Sequence, residues 1–465
     1  MTKTQAQKVS RKEILMVGIL IFGGLITVLN QTVMSPALPS IMKAFQITAS
    51  DGQWLTSIFL LVNGLMVPIT AYLIGRFSSR QLFIAAMSVF TAGTVVCAFS
   101  TSFIMLLAGR VLQAMGAGIM LPFVSVMVML IFPKERRGMA LGVVGVVFGV
   151  GPAAGPTFGG WLVDVWGWQY IFYAIVPLAV ISIVLGIILL KNIGDRQKNR
   201  LDWFSVLLST FGFGGLLFGF SSAGSAGWLS YRTYAPILIG IVIVIFFIRR
   251  QIKRDEPLLN FRVFKNPTFT IGMTVTTIVA MGMTVAAVIT PIFMQNVLGL
   301  SAMRSGLLIM PGAVIMAGIS PVSGFLFDKF GPRWMCITGC SIIVVGSGML
   351  ALMTPATTQL YVCFAYTFRM AGIALVNMPA NTWGLNALKD ESIAHGNAII
   401  NTARQVFGSI GTALLVTVMM LVGNIFAGSE EIAATAKGID AAFMGSTVIT
   451  IAALILTIAK VGKDK

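Results

Sequence analysis

Three arginines lie inside long apolar stretches of the sequence, at Arg110, Arg369 and Arg404. Placing a charged side chain at the centre of a membrane helix costs about 2.5 to 3.5 kcal/mol, so such residues usually serve a function. Arg110 and Arg369 are therefore candidates for a cavity or a buried polar network. Arg404, about two turns inside its stretch, could equally extend its head group to the membrane surface.

Other side chains in these stretches could line a binding cavity, because promiscuous sites favour flexible methionines and aromatics with few polar groups. With the two arginines, the candidate cavity residues are Asn30, Gln31, Met34, Trp54, Asn63, Arg110, Gln113, Arg369, Asn377, Asn381 and Trp383. Each amide could instead serve only to hold neighbouring helices together. The fifteen acidic residues fall at the ends of the apolar stretches or between them, so no carboxylate is predicted in mid-membrane.

The elements that must position these residues are membrane helices. The chain has 465 residues, of which 57% are hydrophobic and 10% are charged. A hydrocarbon core of about 30 Å requires about 20 apolar residues per helix. Fourteen such spans fit the sequence, at 14–38, 52–74, 81–100, 103–132, 138–163, 170–190, 204–222, 233–250, 268–293, 303–327, 334–353, 358–385, 397–424 and 441–460. We predict an all-α polytopic membrane protein with fourteen transmembrane helices.

The basic residues predict the orientation of these helices. Of the 32 lysines and arginines, 25 fall in segments on one side of the membrane, four on the other and three within spans. Because positive residues accumulate on the inner side, the N- and C-termini are predicted to be cytoplasmic. The formal charge of +17 then reflects topology and not nucleic-acid binding. The loops are too short for a soluble catalytic domain and no phosphate-loop motif occurs, so neither an enzyme nor an ATP-driven pump is predicted.

Three local patterns recur at a nearly constant offset, which indicates an internal duplication. The segment "AYLIGRFSSRQLF" from Ala71 resembles "GFLFDKFGPRWM" from Gly324, Arg110 matches Arg369, and Gly138 matches Gly396. The offsets are 253, 259 and 258 residues. Repeats of this kind are typical of secondary transporters. They predict two six-helix bundles, 1–190 and 268–465, separated by two inserted helices with flanking loops in 191–267.

The fifth span is unusually rich in glycine and proline. Small residues at 138, 142, 145, 149, 152, 156 and 160 recur every three or four positions and predict a continuous stripe on one helix face. Such stripes let membrane helices approach closely, and Pro152 and Pro156 are expected to bend the helix. We interpret the stripe as a gate surface that closes against a partner helix and parts from it. Tight packing in a static bundle would explain the glycines but not two prolines so close together.

The pattern Gly142-x8-Gly151-x3-Gly155-Pro156-x2-Gly159-Gly160 resembles the antiporter motif of the drug-exporting major facilitator superfamily. With fourteen spans, the chain is similar to the drug:proton antiporters of the QacA/EmrB type, and especially to lincomycin-resistance-like multidrug exporters. The resemblance implies the major facilitator fold, with the fifth span against the tenth at the interface of the two halves. The small residues of the tenth span are Gly312, Gly318, Pro321 and Gly324.

The inner-loop motif of that family, G-x-L-x-D-x-x-G-x-R, is intact in the second half of the chain. It comprises Gly324, Leu326, Asp328, Gly331 and Arg333. In the first-half copy, Ala71 and Ser78 replace the two glycines, and Gly75 replaces the aspartate. Leu73, Arg76 and Arg80 remain. In the family the carboxylate helps to hold the cytoplasmic side closed, and a helix N-terminus, where partial positive charge gathers, would donate hydrogen bonds to it. Because only Asp328 remains, the resemblance implies two unequal inner gates.

The resemblance implies an exporter of small amphipathic drugs in the cell membrane that switches access by rocking its halves. It would work within the lipid bilayer with a proton gradient and without a metal, another cofactor, nucleic acid or an obligate protein partner. The first span has Asn30 and Gln31 where relatives commonly carry an acid, so a multiply charged cation is not expected as the substrate. Proton coupling would then need an acid at a span end, and the candidates are Asp51, Asp164 and Glu135.

Two alternatives to drug export remain open. Buried arginines and missing acids would suit an exporter of a specific anionic or lipid-like metabolite. A non-transporting membrane sensor or scaffold would be expected to lose the gate features, whereas the antiporter motif is complete. A channel would require a ring of charges or a carbonyl-lined filter, and the sequence has neither pattern.

Overall fold

A computed structural model describes residues 10–193, 202–426 and 431–462, except for a few side chains within helices, among them Pro152 and Pro156. The described secondary structure is helical. The α-helices are α1 (Arg11–Thr32), α2 (Met34–Phe45), α3 (Ala49–Arg76), α4 (Ser79–Ala98), α5 (Phe103–Ile131), α6 (Arg137–Trp166), α7 (Tyr170–Leu189), α8 (Trp203–Ala226), α9 (Tyr231–Lys253), α10 (Pro267–Ile292), α11 (Ala302–Phe330), α12 (Pro332–Ala351), α13 (Gln359–Asn386), α14 (Asp390–Ile425) and α15 (Glu431–Lys460). Short 3-10 helices occupy Lys134–Arg136 and Phe261–Lys265, and a π-helix occupies Phe293–Val297.

The helices correspond one by one to the predicted spans, with α1 and α2 together forming the first. In the described part of the chain, thirteen helices are long and apolar enough to cross a membrane, and α6, with 30 residues, coincides with the fifth predicted span. Local sequence sets several helix starts. Capping boxes, in which a hydroxyl and an acid or amide three residues on satisfy free N–H groups, begin α1 at Ser10, α3 at Thr48 and α4 at Ser78. The all-α polytopic prediction is confirmed.

Two helices begin well before the apolar stretches that predicted them. Helix α14 begins at Asp390 and α15 at Glu431, because the polar residues there still permit a helix. Arg404 therefore lies 14 residues into α14, about 21 Å or nearly four turns from its start. Asp440, one residue before the predicted last span, lies inside α15, where it is half-buried and its Oδ1 has no hydrogen-bond partner within the described residues.

Buried side chains form two apolar cores. One is centred on α1 to α7, with Phe59, Phe83 and Phe123 fully buried, and it reaches into parts of α8 to α10, α13 and α14. The other lies within α10 to α15 and includes Phe293 and Phe443. The division of the chain at 190 and 267 stays a prediction.

The inserted helices α8 and α9 pack against each other, and α8 also contacts both α3 and α14. Trp54 of α3 stacks on Phe218 of α8 with ring centroids 5.9 Å apart. After α8, the Trp228 indole Nε1 donates to Thr417 Oγ1 of α14 at 2.6 Å. The inserted pair thus bridges one helix from each half.

An ion-pair cluster fixes the other end of the inserted pair. Asp202, just before α8, pairs with Arg250 at 3.0 Å and Arg254 at 2.9 Å. Burial raises the pKa of Asp202, but hydrogen bonds from Ser205 and Arg250 and the two nearby guanidinium charges outweigh it, so the net pKa lies below the usual value. The cluster therefore remains ionised at neutral pH. It lies at the end of the bundle where α1 and α6 begin and α11 ends. We call this end the basic end and the opposite end the far end.

Candidate functional site

Four glycines of α6, which we call the glycine ridge, bring α6 into direct contact with α11. They are Gly138, Gly142, Gly145 and Gly149. A Cβ built on Gly142 would lie 2.5 Å from the Ser320 carbonyl oxygen, and one on Gly149 would lie 2.6 Å from Ala317 Cβ. No side chain fits between the two backbones, so the contact exists because these positions are glycine.

Beyond Gly149, the antiporter-motif glycines face α1 and α2 instead of α11. Built Cβ atoms would collide with Val28 at Gly151, with Thr32 at Gly155 and with Val33 at Gly159. Gly160 has Pro36 of α2 as its nearest neighbour, at 3.9 Å. Thr32 Oγ1 also donates to the Gly151 carbonyl at 2.9 Å. The predicted stripe thus meets α11 at its first four positions and α2 at Gly160, and the side chains of Pro152 and Pro156 lie outside the described residues.

The far half of α11 is less closely packed. Gly312 packs against Tyr366 of α13, a Cβ on Gly306 would meet no atom within 4 Å, and Met303 is 76% exposed. The glycine contacts between α6 and α11 therefore lie in the basic half of the two helices.

Asp328 of α11 caps the start of α6. Its Oδ1 accepts from the Gly138 backbone N–H at 2.9 Å and its Oδ2 from that of Met139 at 2.8 Å. These N–H groups belong to the first turn of α6, which has no side-chain cap of its own, and a negative charge is favourable at a helix N-terminus. The intact inner-loop motif thus supplies a cap across the interface of the two halves.

The remaining inner-loop residues lie around this cap or on the surface. Gly331 has φ +76, a left-handed conformation that glycine adopts without strain, and it connects α11 to α12. Gly324 faces the Gly138 backbone. Arg333 Nη2 lies 3.5 Å from the Ile458 carbonyl oxygen, and Arg76 and Arg80 are exposed.

The symmetry-related helix α14 has no corresponding free N–H groups. Gly396 is the repeat mate of Gly138, but α14 begins six residues earlier at Asp390. The N–H of Gly396 is therefore inside the helix, where the carbonyl four residues before accepts its hydrogen bond. At this repeat-related position α14 thus differs from α6, in which the Gly138 N–H is free to donate to Asp328.

Further hydrogen bonds join the halves at the basic end. Arg137 donates to Asn386 Oδ1 and Asp390 Oδ1, both at 3.3 Å. Asn397 Nδ2 donates to the Pro122 carbonyl at 3.0 Å. Neither Arg137 nor Asn397 was a candidate from sequence, although the Gly138/Gly396 repeat pair lies directly beside them. Together with Asp328, these contacts hold the basic end closed.

Arg110 lies at the centre of a hydrogen-bond network within the N-terminal half, and its partners there are uncharged. Its Nε donates to the Leu55 carbonyl at 3.1 Å, its Nη1 to Gln113 Oε1 at 2.9 Å, and its guanidinium lies 4.2 Å from the centre of the Phe59 ring. Gln113 Nε2 in turn donates to Thr94 Oγ1 at 3.0 Å and to Asn30 Oδ1 at 3.3 Å. Within the part of the chain that the structure describes, Arg110 Nη2 and Asn30 Nδ2 have no hydrogen-bond partner.

The Gln113–Thr94 bond can be tested with a matched pair of threonines on α4. Both hydroxyls donate within the helix, Thr94 to Phe90 and Thr91 to Met87, but only Thr94 also accepts from Gln113. Thr94→Val is expected to lower the free energy of unfolding by about 1 to 2 kcal/mol more than Thr91→Val, because it leaves a buried amide donor without an acceptor. Unfolding of the detergent-purified variants, followed by tryptophan fluorescence, measures the difference. Equal losses would contradict the network.

Arg369, the repeat mate of Arg110, occupies a similar position in the C-terminal half. Its Nε donates to Ser347 Oγ and its Nη2 to the Gly282 carbonyl, both at 2.8 Å. Ser347 lies 253 residues after Thr94, the same offset that relates Ala71 to Gly324. That offset would have identified both hydroxyls as partners of the arginine network, although neither was a candidate.

The other predicted cavity residues do not share one chamber. Asn377 and Asn381 are buried in the basic half of α13, each with an unpartnered Oδ1. Met34 is buried, whereas Gln31, Asn63 and Trp383 are half-buried. Trp54 packs on the inserted helix α8. The candidates thus separate into one network per half, a pair of amides near the basic end, and individual contacts.

Comparisons with known proteins agree along most of the chain. The model of the family described as Major Facilitator Superfamily matches residues 20–412. The MFS-type transporter YcnB of Bacillus subtilis (strain 168) is 45% identical over 442 residues, which are 95% of this chain and 93% of the relative. The lincomycin resistance protein LmrB of the same strain is 36% identical over 452 residues, 94% and 93% of the two chains. Among solved structures, the human organic anion transporter MFSD10 (TETRAN) aligns with a TM-score of 0.71 at 13% identity, covering 96% of this chain and 99% of that one.

Proposed function

The chain belongs to the Major Facilitator Superfamily, and on that basis we propose that it exports amphipathic drugs or antibiotics across the cell membrane by alternating access. The predicted family and its all-α membrane fold are confirmed. Relatives at this level of identity include lincomycin resistance proteins, which supports export of a drug. Transport requires two arrangements of the halves around a central path.

The observation that carries the proposal is the contact between α6 and α11. The two helices meet without intervening side chains along the glycine ridge, in their basic halves. A surface of backbone and small residues can open and close without repacking large side chains, as a rocking motion requires. With the basic end cytoplasmic, as the positive residues predict, this arrangement is closed to the cytoplasm.

We propose that export is coupled to protons. The candidate acids differ in their surroundings. Asp51 accepts from the Thr48 hydroxyl at 2.6 Å in the cap of α3, and Asp164 and Glu135 are exposed. Asp440 joins the candidates because it is half-buried inside a membrane helix with one oxygen unpartnered.

Export of an anionic or lipid-like metabolite is the second candidate function. Arg110 and Arg369 are fully buried, and their hydrogen bonds within the described residues go to carbonyl, hydroxyl and amide oxygens. Each guanidinium keeps one unpartnered nitrogen that a carboxylate or phosphate could bind if the halves moved.

Transport by the full chain in proteoliposomes tests both functions. Uptake of radiolabelled lincomycin, of a cationic dye and of an anionic dye is measured with and without an imposed pH gradient. Drug export predicts gradient-driven movement of lincomycin that a protonophore abolishes. Movement of the anionic dye alone would favour the second candidate. If none of the three compounds moved faster than in empty liposomes, both candidate functions would be contradicted. Substrate movement that did not depend on the pH gradient would contradict the proposed proton coupling.

A further inference from the structure

One face of α9 leads from exposed apolar side chains to two exposed cations. Residues three and four positions apart lie on the same face of a helix, and one such row comprises Leu238, Val242, Phe246, Arg249 and Lys253. Its apolar members are 58%, 52% and 60% exposed, and both cations are exposed. Because α9 is long and apolar enough to cross the membrane, the exposed apolar part of this row contacts lipid. We call these five residues the lipid-facing row.

Helix length and an aromatic side chain place the two cations at the level of the lipid head groups. Arg249 lies 18 residues after Tyr231, the first residue of α9, which is about 27 Å along the helix. The hydrocarbon core is about 30 Å thick. Trp203 begins α8 beside the ion-pair cluster and is 71% exposed, and exposed tryptophans are typical of the membrane–water interface. A lipid that packs along the row would therefore have its phosphate near Arg249 and Lys253.

The four cations at the end of α9 divide into a paired and an unpaired couple. Arg250 and Arg254 face α8, where both bind Asp202, at 3.0 and 2.9 Å. Arg249 and Lys253 form no ion pair with any residue that the structure describes. Because residues four apart on a helix have Cβ atoms about 5 to 6 Å apart, a single phosphate group can contact both side chains.

We propose that Arg249 and Lys253 bind the phosphate of an anionic phospholipid, such as phosphatidylglycerol, in the leaflet at the basic end. The acyl chains pack along the apolar part of the lipid-facing row, and the guanidinium and ammonium groups donate to the phosphate oxygens. Phosphatidylcholine offers the same phosphate, but its own choline cation compensates the charge. The row belongs to the inserted pair and not to the contact between α6 and α11, so the proposal does not depend on which substrate is exported.

Thermal unfolding of the full chain in detergent with added lipid tests the proposal. Phosphatidylglycerol, phosphatidylcholine with the same acyl chains and inorganic phosphate are compared at equal ionic strength. Phosphatidylglycerol is expected to raise the melting temperature by a few degrees with a saturable dependence on concentration, because a ligand that binds only the folded state stabilises it. Phosphatidylcholine is expected to bind more weakly. Inorganic phosphate lacks acyl chains and is expected to give no shift at the same concentration.

A double variant with a matched control locates the effect. Each basic residue near an anionic lipid surface changes binding about fivefold. Arg249→Gln/Lys253→Gln is therefore expected to bind phosphatidylglycerol about 25-fold more weakly. The control Lys134→Gln/Arg136→Gln also removes one lysine and one arginine from the basic end, but these exposed residues lie in the 3-10 helix between α5 and α6. The control is expected to keep the parent affinity.

Equal responses to phosphatidylglycerol and phosphatidylcholine would overturn the proposal, and so would an unchanged affinity in the α9 double variant. Equal losses in the two double variants would also overturn it, because the basic end as a whole would then attract the lipid. A shift with inorganic phosphate that the α9 double variant abolishes would assign the two cations to a soluble anion instead of a lipid. Should that variant fail to fold, Lys253→Gln alone decides, with an expected loss of about fivefold.

Discussion

Replacing Asp328 with asparagine is expected to open the basic end and to reduce export several-fold. The carboxylate accepts from two backbone N–H groups in the first turn of α6. Asparagine has a single acceptor oxygen, and its NH2 group would face the second N–H donor. Loss of a helix cap and of a charge at a helix N-terminus costs about 1 to 2 kcal/mol, and each 1.4 kcal/mol changes the ratio of two states tenfold.

The change in population can be measured separately from transport. Spin labels attached to cysteines at Lys134 and Lys329, both exposed at the basic end, report the distance between the start of α6 and the end of α11. A single short distance is expected in the parent chain, and a second, longer distance in Asp328→Asn. If export fell while the distance distribution stayed the same, Asp328 would act in some way other than closing this end.

The first-half motif supplies the control. Gly75→Asp restores the family residue, but the N–H of Gly396 is already bonded within α14. The variant is therefore expected to leave the distance distribution unchanged and not to rescue Asp328→Asn. Rescue would contradict the expectation that a carboxylate at position 75 finds no free N–H group at Gly396.

The unequal inner-loop motifs can be read from the sequence, but the different starts of α6 and α14 cannot. The motif residues Gly324, Asp328 and Arg333 can be read directly, and so can the loss of the carboxylate at Gly75. The helix start at Asp390 could not be predicted because hydropathy reports where a helix enters hydrocarbon, not where it begins. Seven further residues before the predicted span, including two acids, continue the helix, and they decide whether a cap is needed.

The polar residues of the spans illustrate a similar limit. Composition identified Arg110, Gln113 and Asn30 as a group, because few polar side chains occur in these helices. Their arrangement as a closed network with Thr94 depends on how α1, α4 and α5 cross, which a hydrophobic pattern does not specify. The repeat offset carried more information than the residue types, since it relates Thr94 to Ser347 as partners of the two arginine networks.

The regular spacing of the glycines correctly predicted a close helix contact in the basic half of α6. It did not indicate where along α6 the partner helix changes. Spacing alone places Gly149 and Gly160 on the same face of an ideal helix. In the structure the neighbour is α11 at the first position and α2 at the second, because α1 and α2 cross the far half of α6. Which helix a small-residue stripe meets is thus a property of the bundle and not of the stripe.

Gly149→Ala is expected to reduce export several-fold by preventing closure along the glycine ridge. The new methyl group would lie 2.6 Å from Ala317 Cβ and 2.7 Å from the Ala313 carbonyl oxygen, and neither atom can rotate away. Overpacking of this kind costs about 1 to 3 kcal/mol in the closed arrangement and nothing once the helices have parted, so it favours the open one. Gly318→Ala on α11 is the matched control, because its methyl group meets nothing within 4 Å and export should stay at the parent level. Drug efflux from cells expressing equal amounts of each variant measures the effect, and parent-level efflux by Gly149→Ala would mean that α6 and α11 need not touch for the cycle to run.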